Sequence, residues 1–211
     1  MQRDIQLDPH EARVFGVLVE KAYTTPEQYP LSINAATNGA NQKSNRDPVL
    51  SLSEEEVWGA LDRLEQKYLA RKVFPGGSRV EKYIHLGKDG LGLQAPQLAV
   101  LAELLMRGPQ TAGELRGRAS RMAAIDSLEA LAEVLEPMMN EGLVERLDPA
   151  PGSRAERYVQ LLSPGLHPTD APAASPSPHA PPPSPLAARL DSLEVEVAAL
   201  RDRVAELEKK M

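Results

Sequence analysis

A heptapeptide occurs twice in this chain, and that repetition limits the fold more than any other feature. GSRVEKY at 77–83 returns as GSRAERY at 152–158, 75 residues later. The residues ahead of it repeat as well. Leu61, Leu64 and Leu69 match Leu135, Met138 and Leu143 at a spacing of 74. LDPHEARVFGVLVEK (7–21) matches LQAPQLAVLAELLMR (93–107) at a spacing of 86. Three matches in one order indicate a duplicated unit rather than chance likeness. The change from 86 to 74 puts about twelve extra residues into the first copy, within YPLSINAATNGANQKSNRDPVLSLS (29–53).

Each copy carries the same local signals. A first helix has Val14 and Leu18 on one face, with Pro9 or Pro96 in its opening turn. A shorter second helix is expected at about 31–41 and 112–120, with Ser32 and Thr111 as N-caps. A third runs over about 54–68, where Val57, Leu61, Leu64 and Tyr68 fall at helical spacing. Ser53-Glu54-Glu55-Glu56 opens it as a capping box, with acids at the positive end of the dipole. Its counterpart carries Leu128, Leu131, Leu135 and Met138. Two short strands then flank Pro75-Gly76-Gly77-Ser78 or Pro151-Gly152-Ser153. Helix, helix, helix, hairpin is the winged-helix layout. The expected fold is therefore mainly α with small β-hairpin wings (α+β), as two tandem winged-helix domains at 1–90 and 91–163.

Beyond them lies a change of composition. Nine of the 19 prolines fall between Pro164 and Pro185, in a stretch almost without large apolar residues. Such a stretch buries too little surface to offset chain entropy, so 164–185 is expected to be a disordered linker. Extended at about 3.1 Å per residue, it spans roughly 65–70 Å at most. The last 26 residues then follow an unbroken heptad. Leu186, Leu193, Leu200 and Leu207 take the d positions, and Leu190, Val197, Val204 and Met211 the a positions. β-branched residues at two a positions with leucine at d favour a parallel two-stranded coil over 186–211. In that arrangement Arg189 meets Glu194, Glu196 meets Arg201 and Arg203 meets Glu208 across the pair. The expected partner is a second copy of this chain, or a similar coil on another protein.

The strings TTPEQYPLS (24–32), NQKSNRDPV (41–49) and RGPQTAGELRGRASRM (107–122), with the two GSR wing sequences, are long and unusual. They resemble the YceH-like family of bacterial proteins over about residues 6–163. The resemblance implies a tandem winged-helix fold. It implies no activity, because that family's function is unassigned.

Little in the sequence supports catalysis. Without cysteine there is no disulfide, thiol nucleophile, iron–sulfur cluster or thiolate zinc site. Of the histidines His10, His85, His167 and His179, the last two sit in or beside the proline-rich stretch, which argues against a histidine-bound metal. There is no HExxH, no GK[ST] phosphate loop and no GxSxG. Gly87-Lys88-Asp89-Gly90-Leu91-Gly92 lacks nucleotide-loop spacing and reads as an interdomain turn. A non-enzyme with no cofactor and no metal is expected. No apolar run reaches the roughly 18–20 residues of a membrane span, and the first residues lack a signal core, so a cytoplasmic location is expected.

Charge frames the remaining choice. The net charge is −6, and the third helices are acidic: 127–141 carries Glu129, Glu133, Glu136 and Glu141 with no Lys or Arg. Phosphate would be repelled there. Contact with double-stranded DNA would fall to the neighbouring cations. These are Lys43 and Arg46 after the first unit's second helix, and Arg116, Arg118 and Arg121 around its counterpart. Arg79 and Lys82 in the first wing, and Arg154 and Arg157 in the second, complete the candidate set. Trp58, off the leucine stripe, is expected to pack partly buried. Two functions stay open: a dimeric DNA-binding regulator using those cations, and a scaffold that binds another protein through its acidic third helices.

Overall fold

A computed structural model of the chain describes residues 5–77, 80–149 and 155–167, together with Leu193, Val197, Leu200, Arg203 and Val204 of the tail. The first unit comprises α1 (Pro9–Thr24), α2 (Ile33–Ala40), α3 (Glu54–Gln66), β1 (Ala70–Val73) and β2 (Lys82–His85). A short α4 (Gly87–Leu91) leads into α5 (Ala95–Arg107), β3 (Gln110–Thr111), α6 (Ala112–Ala119), α7 (Leu128–Asn140), β4 (Val144–Leu147) and β5 (Arg157–Gln160). The result is mainly helical with small antiparallel sheets of two and three strands, in an order consistent with a winged-helix arrangement.

The caps form where local chemistry places them. Ser32 accepts the Ala35 amide at the start of α2, and Thr111 and Ser53 close reciprocal capping boxes with Glu114 and Glu56. Each such cap contributes about 1 kcal/mol. The third helix ends two residues short of the expected span. Tyr68 leaves it in a left-handed conformation (φ 58°), and its side chain is exposed. Leu69 takes the buried place instead, with its amide on the Leu64 carbonyl, and turns the chain into β1. The glycine-rich connector expected as a turn forms α4, closed by Gly92 at φ 77°.

The sheets repeat with one difference. β1 pairs with β2 (Arg71 opposite Ile84), and β4 with β5 (Arg146 opposite Tyr158). In the second unit β3 adds a strand beside β5, with Thr111 opposite Arg157; in the first unit the equivalent is a single bridge, Leu31 to Tyr83. Glu81 pairs with Lys72 across the first hairpin at 3.1 Å, and Glu156 pairs with Arg146 in the same way at 3.4 Å.

The first helices of the two units, α1 and α5, pack on each other and are buried nearly all round, so both units share one apolar core. Gly16 permits this approach: a Cβ there would lie 2.8 Å from Met106 Cγ. Leu7 N–H donates to the Leu162 carbonyl at 2.6 Å and ties the end of the second unit to the start of the first. Residues 163–167, at the root of the expected linker, fold onto this body, with Ser163 and His167 buried. The rest of the linker lies outside the described residues.

Candidate functional site

Carboxylates inside apolar runs of α1 and α5 organise the junction between the units. Glu20 sits in VLVEK and Glu103 in LAELL, and both are enclosed. Buried carboxylates persist only when paired. Glu20 takes a 2.6 Å bond from Arg46, which arrives on the loop after α2. Glu103 is paired with Arg107 at 2.9 Å and Arg121 at 2.8 Å. Arg121 also lies 3.9 Å from Glu20, so one guanidinium faces both acids.

The NQKSNRDPV segment threads this junction. Asn45 adopts φ 60° and accepts from Arg107. Asp47 N–H donates to the Met106 carbonyl at 2.8 Å, and the Asp47 carbonyl accepts from His167 Nε2 at 2.6 Å. Arg13, fully buried on α1, donates to the Ala40 and Pro48 carbonyls. The extra residues of the first copy thus act as mortar between the units.

This changes the standing of the candidate DNA contacts. Arg46 was expected at the surface; its side chain is 0% exposed and donates to Gly39 O, Asn45 O, Gln42 Oε1 and Glu20. It therefore cannot reach a phosphate in this fold. Arg121 is held by Glu103 and the Arg118 carbonyl, and Arg118 by Gln110 Oε1 at 2.6 Å and Glu114 at 3.5 Å. Arg116 donates to the Asp126 carbonyl at 3.1 Å. Lys43 is exposed, Lys82 and Arg157 are half-buried, and Arg79 and Arg154 lie outside the described residues. Of the described candidates, Arg46, Arg116, Arg118 and Arg121 therefore have intramolecular partners.

The cations of α3 and its C-cap, Lys67, pair with the start of α1. Arg63 bonds Asp8 (2.9 Å) and Glu11 (3.2 Å), and Lys67 bonds Glu11 at 2.5 Å. Glu11 belongs to the α1 capping box, so these pairs fix α3 against the start of α1. The outer face keeps Glu55, Asp62, Gln66 and Trp58, all exposed. Trp58, expected to pack partly buried, is 48% exposed, so about half of its surface faces solvent. On α7 the exposed residues include Glu129, Glu133 and Glu136.

The buried groups titrate accordingly. Burial pushes the Glu20 carboxyl up, but Arg46, Lys21 and Arg121 outweigh it and hold it down at about 2. Burial lowers Arg13 to about 10, helped by nearby Arg46. Burial also lowers His167, more than its bond to Asp47 raises it, and burial lowers His85.

Among the described residues no group of three or more His, Cys, Asp or Glu is placed to hold a metal. No helix among them is long and apolar enough to cross a membrane. Of the dimerisation set, Leu193, Val197, Leu200 and Val204 are helical and exposed. Leu186, Leu190, Leu207 and Met211 lie outside the described residues.

Residues 7–153 match the family described as "protein of unknown function, DUF480". A UPF0502 protein of Mesorhizobium japonicum is 49% identical over 94% of both chains. One from Geotalea daltonii is 51% identical over 98% of this chain and 89% of its own. A third, from Hahella chejuensis, is 44% identical across 100% of this chain and 97% of its own. The junction loop and the α3 face thus fall inside the matched region, and the chain belongs to the DUF480 (UPF0502) family, the group its YceH-like strings resemble.

Proposed function

We propose that this chain is a non-enzymatic, dimeric scaffold. Two winged-helix units form one body, and the acidic outer faces of their third helices, α3 and α7, bind a protein partner. The observation that carries this is the pairing of Arg63 and Lys67 with Asp8 and Glu11 at the start of α1. In a DNA-binding winged helix the third helix meets the major groove, where phosphate favours cations. Here α3 spends its cations on α1, and α7 has none. The heptad at 186–211 supplies the second copy, and the helical, exposed seam residues of the tail suit that role.

Two measurements test the proposal. Duplex DNA at low salt is expected to leave fluorescence anisotropy unchanged. Saturable binding that weakens steeply with salt and disappears in Lys43→Glu/Arg116→Glu would move the function to DNA; these two cations lie outside the buried network, so their loss leaves the body folded. Deletion of 186–211 is expected to halve the mass in sedimentation equilibrium. An unchanged mass would refute dimerisation through the tail.

A further inference from the structure

We propose that the outer face of α3 seats an arginine side chain of a basic protein segment, with the guanidinium stacked on Trp58 and paired to Glu55 or Asp62. This rests on the scaffold function proposed above and names the chemistry of its partner.

Trp58 carries a large apolar ring that is about half-exposed on the outer face of α3. Helical spacing makes Glu54, Glu55, Leu61 and Asp62 its neighbours one turn away. Leu61 is buried in the core, so the three other positions one turn away from Trp58 all carry carboxylates. Glu54 receives a bond from Asn34 and Asp62 one from Gln66, while Glu55 has no ion pair or hydrogen bond among the described residues.

Nearby cations are committed elsewhere. Arg63 and Lys67 are held by α1, and Lys72 pairs with Glu81 and lies 5.8 Å from the centre of the Tyr83 ring. Glu65, two turns from Trp58 on almost the same bearing, accepts the Lys72 backbone amide and fixes the wing along this edge. An indole face ringed by carboxylates and left without an intramolecular cation is complementary to an external one. A planar guanidinium can stack on the ring and bond a carboxylate at once; an ammonium cannot reproduce that geometry. A phosphate-bearing partner is disfavoured by the same acids.

α7 provides an internal control, because it carries Glu129, Glu133 and Glu136 without an aromatic residue. Trp58 is also the only tryptophan, so tryptophan emission, excited selectively over the five tyrosines, reads this face. The probes are a ten-residue oligoarginine peptide and an oligolysine peptide of equal charge, each titrated into the full-length protein. Oligoarginine is expected to shift the Trp58 emission saturably and to bind about 5-fold or more tightly than oligolysine. By calorimetry, Trp58→Ala is expected to weaken oligoarginine binding about 5–10-fold. Glu55→Gln/Asp62→Asn should weaken it as well, whereas Glu129→Gln/Glu133→Gln/Glu136→Gln should leave it unchanged. All these positions are exposed, and an unchanged circular dichroism spectrum confirms that each variant folds.

Equal affinity for the two peptides, insensitivity to Trp58→Ala, or no binding at all would overturn the arginine seat. A native partner retained equally by wild type and Trp58→Ala would overturn the seat and leave the scaffold standing. Oligoarginine binding that depends on Trp58, together with specific duplex binding, would uphold the seat and remove the scaffold.

Discussion

Replacing Glu20 by alanine is expected to lower the stability of the folded body by about 3–5 kcal/mol. The loss comes from what remains. Arg46, whose side chain is fully enclosed, would keep only neutral acceptors on Gly39, Gln42 and Asn45. A buried guanidinium without a carboxylate is costly because water cannot replace the partner. Arg121 would lose one of its two acids as well. In urea the midpoint should fall by roughly 1–3 M at an ordinary slope. A drop corresponding to less than about 1 kcal/mol would mean that the pair is solvated like a surface salt bridge. Arg46→Lys should also be destabilising, since one ammonium cannot span four acceptors held by a planar fork.

The pH dependence has a definite sign. Glu20 titrates at about 2 when folded, against an ordinary value of 4.5. The unfolded chain therefore binds this proton first as pH falls. The stabilisation is complete above 4.5 and is lost as pH drops through about 2, amounting to about 3 kcal/mol. In Glu20→Ala this part of the acid-induced loss should vanish, so wild type and variant should converge in stability toward pH 2.

Local chemistry was legible in the sequence; long-range pairing was not. Ser32, Ser53 and Thr111 announce their helices because a cap acts within three residues. The duplicated order of helices and hairpins followed from the repeat and from periodicity. Arg46 was misjudged because its neighbours Asn45, Gln42 and Lys43 look like a solvated loop, and the acid that draws it inward lies 26 residues away. Glu20 and Glu103 did leave a signal, a lone carboxylate within an apolar run, which implies a buried cation that the sequence does not name. Trp58 was ambiguous for a geometric reason: it stands one turn before Leu61, at the margin of the core stripe, and is left about half-exposed. β3 was missed because two residues make no pattern and their partners sit 46 and 48 positions on.

The second large effect is expected at Gly108, where alanine should cost about 3–5 kcal/mol from two sources. Gly108 ends α5 at φ 76° and ψ −158°, a conformation that residues with a Cβ avoid. A Cβ there would also lie 2.8 Å from the His167 ring. His167 cannot yield cheaply, because its Nε2 donates to the Asp47 carbonyl on the loop that locks the units together. Gly92→Ala is the milder comparison: at φ 77° and ψ 8° it lies in the left-handed helical region, and nothing lies within 4 Å of its Cβ, so it should cost about 1 kcal/mol. Because burial lowers the His167 pKa, its contribution is present above about 6.5 and is lost as pH falls below it. Gly108→Ala should flatten that step by displacing the ring. The displacement would also release residues 163–167 from the junction. Proteolysis is the direct readout: cleavage between the body and the tail should move toward Leu162 in Gly108→Ala and stay in place in Gly92→Ala. Equal stabilities and equal cleavage sites for the two variants would show that His167 does not anchor the root of the linker.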